Sequence, residues 1–321
     1  MLRLAPLSTD AYVRDVLPHS AELWAGARSF DEYAAELRGI AGSAWGRRRF
    51  RTVGLWVGDE LVASCKRYDR VLRCGDRRYR AAGIGAVFTP PALRGRGYAT
   101  ALLGALLDAE RAAGTAFAYL FSDIGATFYE HLGFVKLPAR AFSLRADGLA
   151  GPRVTVETLG ADDDAAMRRV FAASEARRHF AFVRTPLEWE WQRLRAASRE
   201  HGSPVLRLGV RRGRALAAYV VGRRIPTADV FALDELALAR AQDAPLLGSL
   251  LRAAAGDLRK IGGWLPPAPL RGALPRGAVR PRRSSLTMVL PLDRTFAAAW
   301  RETLPRVEAD AADPCWAADY L

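Results

Sequence analysis

The chain has 321 residues, 50% hydrophobic and 26% charged, which gives room for two domains of about 150 residues with sizeable cores. That composition excludes a stapled mini-protein, a disordered chain and a collagen-like repeat, and no run approaches the ~20 apolar residues of a membrane span. The net charge of +14 would suit a polyanion, yet all but Lys66, Lys136 and Lys260 of the 48 basic residues are arginine, spread along the chain. The densest runs, Arg47-Arg48-Arg49 and Arg211-Arg212, are short and read as solvated surface, so no specific nucleic acid partner is expected.

Three cysteines, Cys65, Cys74 and Cys315, make no metal-ligand spacing and read as reduced thiols. The histidines, His19, His131, His179 and His201, are scattered, so no metal is expected. The N-terminus lacks the basic and apolar regions of a secretion signal, which makes the expected location cytoplasmic, with no membrane partner.

Leu2 to Leu7 alternates like a strand, and Ser8-Thr9-Asp10 is a helix-start cluster ahead of two helices expected over 10–45. Val53, Leu55 and Val57 then alternate, Gly58-Asp59-Glu60 turns, and Leu61 to Leu72 returns as a strand. After a second turn at Gly75-Asp76, the strand from Tyr79 to Thr89 is interrupted by Gly83 and Gly85 and ends at Pro90-Pro91, which cannot continue a ladder.

Arg94-Gly95-Arg96-Gly97-Tyr98-Ala99 leads from there into a helix whose apolar face is Ala99, Leu102, Leu103 and Leu106, closed by Gly114. A glycine loop at a helix N-terminus offers free N–H groups and the positive end of the helix dipole to a phosphate. It also suits a plain strand-to-helix turn. The spacing matches neither G-x-x-x-x-G-K-[ST] nor a dinucleotide fold's glycine and acidic pattern, which argues against ATP and NAD. A strand over 115–121, a short helix over 126–131 and a returning strand after Leu132-Gly133-Phe134 complete the first half.

Arg94, Gly97 and Ala99 fill the Gln/Arg-x-x-Gly-x-Gly/Ala pattern, and Phe128-Tyr129-Glu130-His131-Leu132-Gly133-Phe134 follows at the proper separation. In these two motifs the chain resembles the GNAT superfamily of acyl-CoA-dependent N-acetyltransferases. The resemblance implies an α+β fold: a mixed, mostly antiparallel sheet flanked by helices. It implies acetyl-CoA as co-substrate, held by Val87, Phe88 and Thr89 along the pantetheine and by Arg94, Gly95, Arg96, Gly97, Tyr98 and Ala99 at the pyrophosphate. It also implies Tyr129 as the proton donor to the departing thiolate; a packed helix tyrosine is the other reading of that residue. Asp123 is a candidate base; the N-cap of the short helix is its other reading. In multidomain acetyltransferases of the enhanced-intracellular-survival type, which the arrangement also resembles, a terminal carboxylate acts as base, which makes the Leu321 carboxylate a further candidate.

The second half restarts after a linker at 148–152. Leu102-Leu103-Gly104-Ala105-Leu106-Leu107 recurs as Leu246-Leu247-Gly248-Ser249-Leu250-Leu251, while the glycine loop becomes Leu238-Ala239-Arg240-Ala241-Gln242-Asp243. Two similar domains in tandem are therefore expected, 1–147 with the coenzyme site and 153–321 a degenerate copy without the phosphate loop. That copy would wall the acceptor pocket, with Asp234 and Glu235 attracting an ammonium group. Glu188 and Glu190, on a helix over 186–197, read either as a cation-receiving face or as solvated surface.

The expected activity is acetyl transfer to a primary amine of a small molecule such as an amino acid, a polyamine or an aminoglycoside. An acyl-CoA sensor without turnover and a protein- or ribosome-associated acetyltransferase are the alternatives. Oligomeric state is open, a homodimer being one option.

Overall fold

The computed structural model describes residues 1–199 and 203–321, so His201 lies outside the described residues. The first half runs β1 (Leu2–Leu7), α1 (Thr9–Asp15), α2 (Leu17–Trp24), α3 (Phe30–Gly42), α4 (Ala44–Arg49), β2 (Phe50–Val57), β3 (Glu60–Cys74), β4 (Arg77–Phe88), α5 (Tyr98–Ala112), β5 (Phe117–Ser122), α6 (Thr127–Glu130) and β6 (Val135–Lys136). The segment expected to hold two helices holds four, because it contains several start signals. Ser8 and Ser43 cap α1 and α4 through Ala11 N and Gly46 N, Ser29 and Glu32 form a capping box on α3, and Pro18 sits in the first turn of α2.

The chain continues through β7 (Arg140–Arg145), β8 (Glu157–Thr158), α7 (Asp164–Glu175), β9 (Phe180–Phe182), α8 (Pro186–Arg199), β10 (Val205–Arg212), β11 (Ala215–Ile225), β12 (Val230–Leu238), α9 (Leu246–Ala255), β13 (Lys260–Trp264), α10 (Ala268–Arg271), β14 (Ala278–Pro281), β15 (Leu286–Pro291) and α11 (Arg294–Asp310). The result is an α+β fold of two sheets, each mostly antiparallel and flanked by helices. No described helix is long and apolar enough to cross a membrane.

The sheets share one plan. The first is ordered β1-β2-β3-β4-β5-β15-β6 and the second β8-β10-β11-β12-β13-β7-β14, each with a single parallel pair, β4 with β5 and β12 with β13. The sixth strand of each sheet comes from the other half of the chain. β7, which follows β6, pairs with β13 and β14 of the second sheet, whereas β15 pairs with β5 and β6 of the first. The return of the chain after Phe134 therefore contributes only Val135–Lys136 to the first sheet, and sheet membership does not change at 148–152.

This reciprocal exchange ties the cores together. Phe296 and Trp300 of α11 pack on Phe117 and Phe180, with the Phe117 and Phe296 rings stacked at 4.2 Å. On the other side of the first sheet, α5 buries Leu102, Leu103, Leu106 and Leu107 against Cys65, Ile84 and Leu120. α8 reaches back so that Trp191 stacks on Trp45 of α4 at 4.2 Å. Ring pairs of this kind contribute about 0.5–1.5 kcal/mol beyond the area they bury.

Candidate active site

β4 and β5 pair only from Ala81–Phe117 to Ile84–Leu120. Beyond Ile84, β4 bulges. The register against β3 passes from Lys66–Gly85 to Ser64–Phe88, and Ala86 takes a left-handed conformation (φ 47°) that costs a non-glycine residue about 1–2 kcal/mol. A bulge re-aims the strand, so β4 and β5 splay and a cleft of about 390 Å³ opens between them. Val87 lines it from β4, Phe121 and Asp123 from the end of β5, and Tyr129 from α6.

Residues 94–97 lie exposed at the N-terminus of α5. Gly95 and Gly97 have φ of 77° and 78°, with open space where a Cβ would project, and no side chain caps the helix. Its first N–H groups thus stay available to an anion. Arg94 folds back, its Nε donating to the Thr89 carbonyl at 3.2 Å, which ties the loop to the end of β4. Phe88 is buried in the cluster around Tyr12 and Leu37, so of the three residues expected along the pantetheine it is Val87 that faces the cleft.

Tyr129 is 8% exposed and held edge-to-face by Phe128 and Phe134 at 5.0 and 6.0 Å. Burial, reinforced by Cys65 and Asp123 nearby, pushes its phenol up to about 12. Glu130 and His131 are exposed beside it. Asp123 does not cap α6, whose N-cap is Ala126. Its carboxylate accepts instead from Ser285 N at 2.8 Å, Ser285 Oγ at 3.1 Å and the Tyr320 hydroxyl.

The end of the chain forms the cleft floor. Leu321 lies against the Cα positions of Gly83 and Gly85, where side chains would strike Leu321, Tyr119 or Tyr68. This close approach accounts for Gly83, where a Cβ would lie 2.7 Å from the Tyr119 hydroxyl, and leaves Gly85 less constrained. Buried polar contacts hold the segment along its length. Arg178 donates to the Asp313 carbonyl at 2.5 Å, Trp316 Nε1 to Glu175 at 2.9 Å, and Asp319 accepts from Arg184 at 2.9 Å and Gln192 at 3.3 Å.

Two expectations about acidic residues fail. Glu188 is 2% exposed and pairs with the fully buried Arg70 at 2.9 Å, while Glu190 accepts from the Ala44 and Trp45 N–H groups at the start of α4. Glu188 is thus an internal partner, and the half-buried Glu190 is engaged at the N-terminus of α4. Asp234 and Glu235 do not line the cleft. Glu235 is 1% exposed, bonded to Tyr219 and paired with Arg184 at 2.6 Å.

In the second sheet β12 carries the matching bulge, between Val221–Glu235 and Gly222–Leu233. There Glu235, Arg184 and Asp319 occupy the region just beyond it. Leu238 is still strand, Asp243 is buried on Arg212 at 2.6 Å, and the segment at 149–152 lies on α9 through Arg252 to Leu149 and Ser249 to Pro152.

The family model of the GNAT acetyltransferase domain matches residues 7–136, the span that builds the splayed strands, the glycine loop and Tyr129. Residues 7–136 thus carry a GNAT acetyltransferase domain. A curated lysine acetyltransferase of Yarrowia lipolytica is 27% identical to this chain over 175 residues, 46% of it and 44% of the relative, so the match spans under half of the relative's length. A GCN5-related N-acetyltransferase of Kribbella flavida shares the fold at a TM-score of 0.69 and 24% identity, over 92% of this chain and 73% of that one. A tandem GNAT protein from the clavulanic acid biosynthesis pathway does so at 0.53 and 16%, over 91% and 99%.

What the sequence missed are Trp191, Arg195 and Tyr320, which line the cleft together with Leu321, the one of the four singled out, by resemblance. The unusually apolar Pro314-Cys315-Trp316-Ala317-Ala318 ahead of Tyr320 was the available signal that the chain end is packed.

Proposed function

We propose that this protein transfers the acetyl group of acetyl-CoA to a primary amine of a small molecule. The observation that carries the reading is the uncapped, glycine-led N-terminus of α5 beside a cleft that also contains Tyr129. In the reaction the neutral amine attacks the thioester carbonyl. Backbone N–H groups at the β4 bulge receive the oxyanion, and the C–S bond breaks as Tyr129 gives its proton to the departing sulfur, leaving an amide and free coenzyme thiol. The loop from Arg94 to Ala99 takes the pyrophosphate.

An alkylamine with a pKa of about 10.4 pays about 4.6 kcal/mol to be neutral at pH 7, so a base contributes substantially. Asp123, which accepts three hydrogen bonds, is poorly placed to take a further proton. In a chain that ends at Leu321, its α-carboxylate fills this role from the cleft floor. The test is release of free thiol from acetyl-CoA across a panel of amines, lysine included because the curated relative is named for it, with mass spectrometry of the product. Acetylated amine supports the reading; bound coenzyme with no turnover on any amine would make the protein a sensor.

A further inference from the structure

Two cations, Lys66 and Arg195, line the cleft. Lys66 projects from β3 beside the β4 bulge and is 7% exposed. Its Nζ donates to the Tyr33 hydroxyl at 3.0 Å and lies 5.3 and 5.6 Å from the Tyr33 and Tyr12 rings. Arg195 comes from α8 on the opposite wall, its guanidinium 5.4 Å from the Trp191 ring. Its Nε is buried with no acceptor. Among the described residues neither cation forms an ion pair. Of the other acids at the cleft, Glu36 pairs with Arg28 and attracts Arg195 through space, Asp123 is bonded to Ser285 and Tyr320, and Leu321 forms no ion pair with either cation.

Burying positive charge without a counter-ion is costly, and a tyrosine hydroxyl or an aromatic face offsets only part of that cost. The same arrangement is favourable once an anion enters, because charge-assisted hydrogen bonds in a shielded site are stronger than neutral ones. The coenzyme phosphates have their own cradle at Arg94 to Ala99, none of which lines the cleft. The anion that meets Lys66 and Arg195 therefore belongs to the acceptor.

We propose that Lys66 and Arg195 form an anion subsite for a carboxylate on the acceptor, so that the amine to be acetylated is borne by an amino acid or a similar amino-carboxylate. Polyamines and aminoglycosides, which carry only positive charge, are disfavoured by the same two residues. Tyr33, Tyr68 and Trp191 supply the apolar wall for the acceptor's carbon skeleton. This inference rests on the acetyl-transfer reading and specifies its substrate class.

The test compares amino acids with their carboxamides, which keep the amine and lose the negative charge, as acceptors for the full chain with acetyl-CoA. The acid is expected to be favoured in kcat/KM by about tenfold or more, and Lys66→Met and Arg195→Met are expected to collapse that ratio toward one, chiefly through KM. A wild-type preference for carboxamides or polyamines, or an unchanged acid-to-amide ratio in both variants, would overturn the subsite. Calorimetry of the N-acetylated acid and its carboxamide on the wild-type chain reads the subsite without turnover and without relying on the variants folding. At least about tenfold tighter binding of the acid supports it, and equal binding overturns it. No thiol release with any amine alongside tight acid binding would fault the acetyl-transfer reading and leave the anion subsite standing.

Discussion

Tyr320 donates its hydroxyl to the carboxylate of Asp123, joining the end of the chain to the end of β5 across 197 residues. Through this bond the segment after α11 becomes part of the cleft that the first sheet opens. The pair predicts a specific mutational pattern. Asp123→Asn and Tyr320→Phe, each breaking one side of the same tether, should lower kcat by similar factors, and the two together should cost little more than either alone. A drop of about 10²–10⁴ in Asp123→Asn with a near-normal Tyr320→Phe would instead make Asp123 the base.

Tyr129→Phe should lower kcat by about 10²–10⁴ while leaving the affinity for acetyl-CoA close to that of the wild type, because the lost proton matters only as charge builds on sulfur. Burial holds the Tyr129 phenol up to about 12, and its protonated form is the competent one. Loss of activity through this group therefore begins only as pH approaches 12. An alkaline limb below about pH 10 that disappears in Tyr129→Phe would contradict this assignment.

Arg70 is buried against Glu188 at 2.9 Å and Asp319 at 3.7 Å. Arg70→Met strands two buried carboxylates and should cost about 3–5 kcal/mol, measured as a lower urea midpoint. Adding Glu188→Gln to Arg70→Met should recover part of that loss. Strictly additive losses would show that the pair is not coupled in the folded state.

What was legible in the sequence was local. The glycine loop, the amphipathic face of α5 and the Tyr129 motif are consecutive residues whose meaning depends on their own spacing. The exchange of β7 and β15 was hidden, because Leu286–Pro291 carries the alternation of any buried strand and nothing in it says which sheet it joins. Glu188 and Glu190 were equally opaque, since a glutamate that meets a buried Arg70 or the N-terminus of another helix is written the same way as one in water. The excess of arginine, read as surface, includes Arg70, Arg178 and Arg184, which hold the chain end in place from inside the fold. The groups they hold in the chain end lie more than a hundred residues away in sequence, so pairing them required the packing itself.

The central claim is that acetyl-CoA binds once, at the splayed strands of the first sheet, while the matching place in the second sheet is filled by Glu235, Arg184 and Asp319. Calorimetric titration of the full chain with acetyl-CoA, repeated on Gly97→Glu, tests it directly. Gly97 sits at φ 78° at the head of α5, so the substitution adds both backbone strain and a negative charge where the pyrophosphate belongs. One site per chain in the wild type, weakened by at least about tenfold in the correctly folded variant, is the predicted result. Two sites, or one that survives Gly97→Glu with unchanged affinity, would contradict the account.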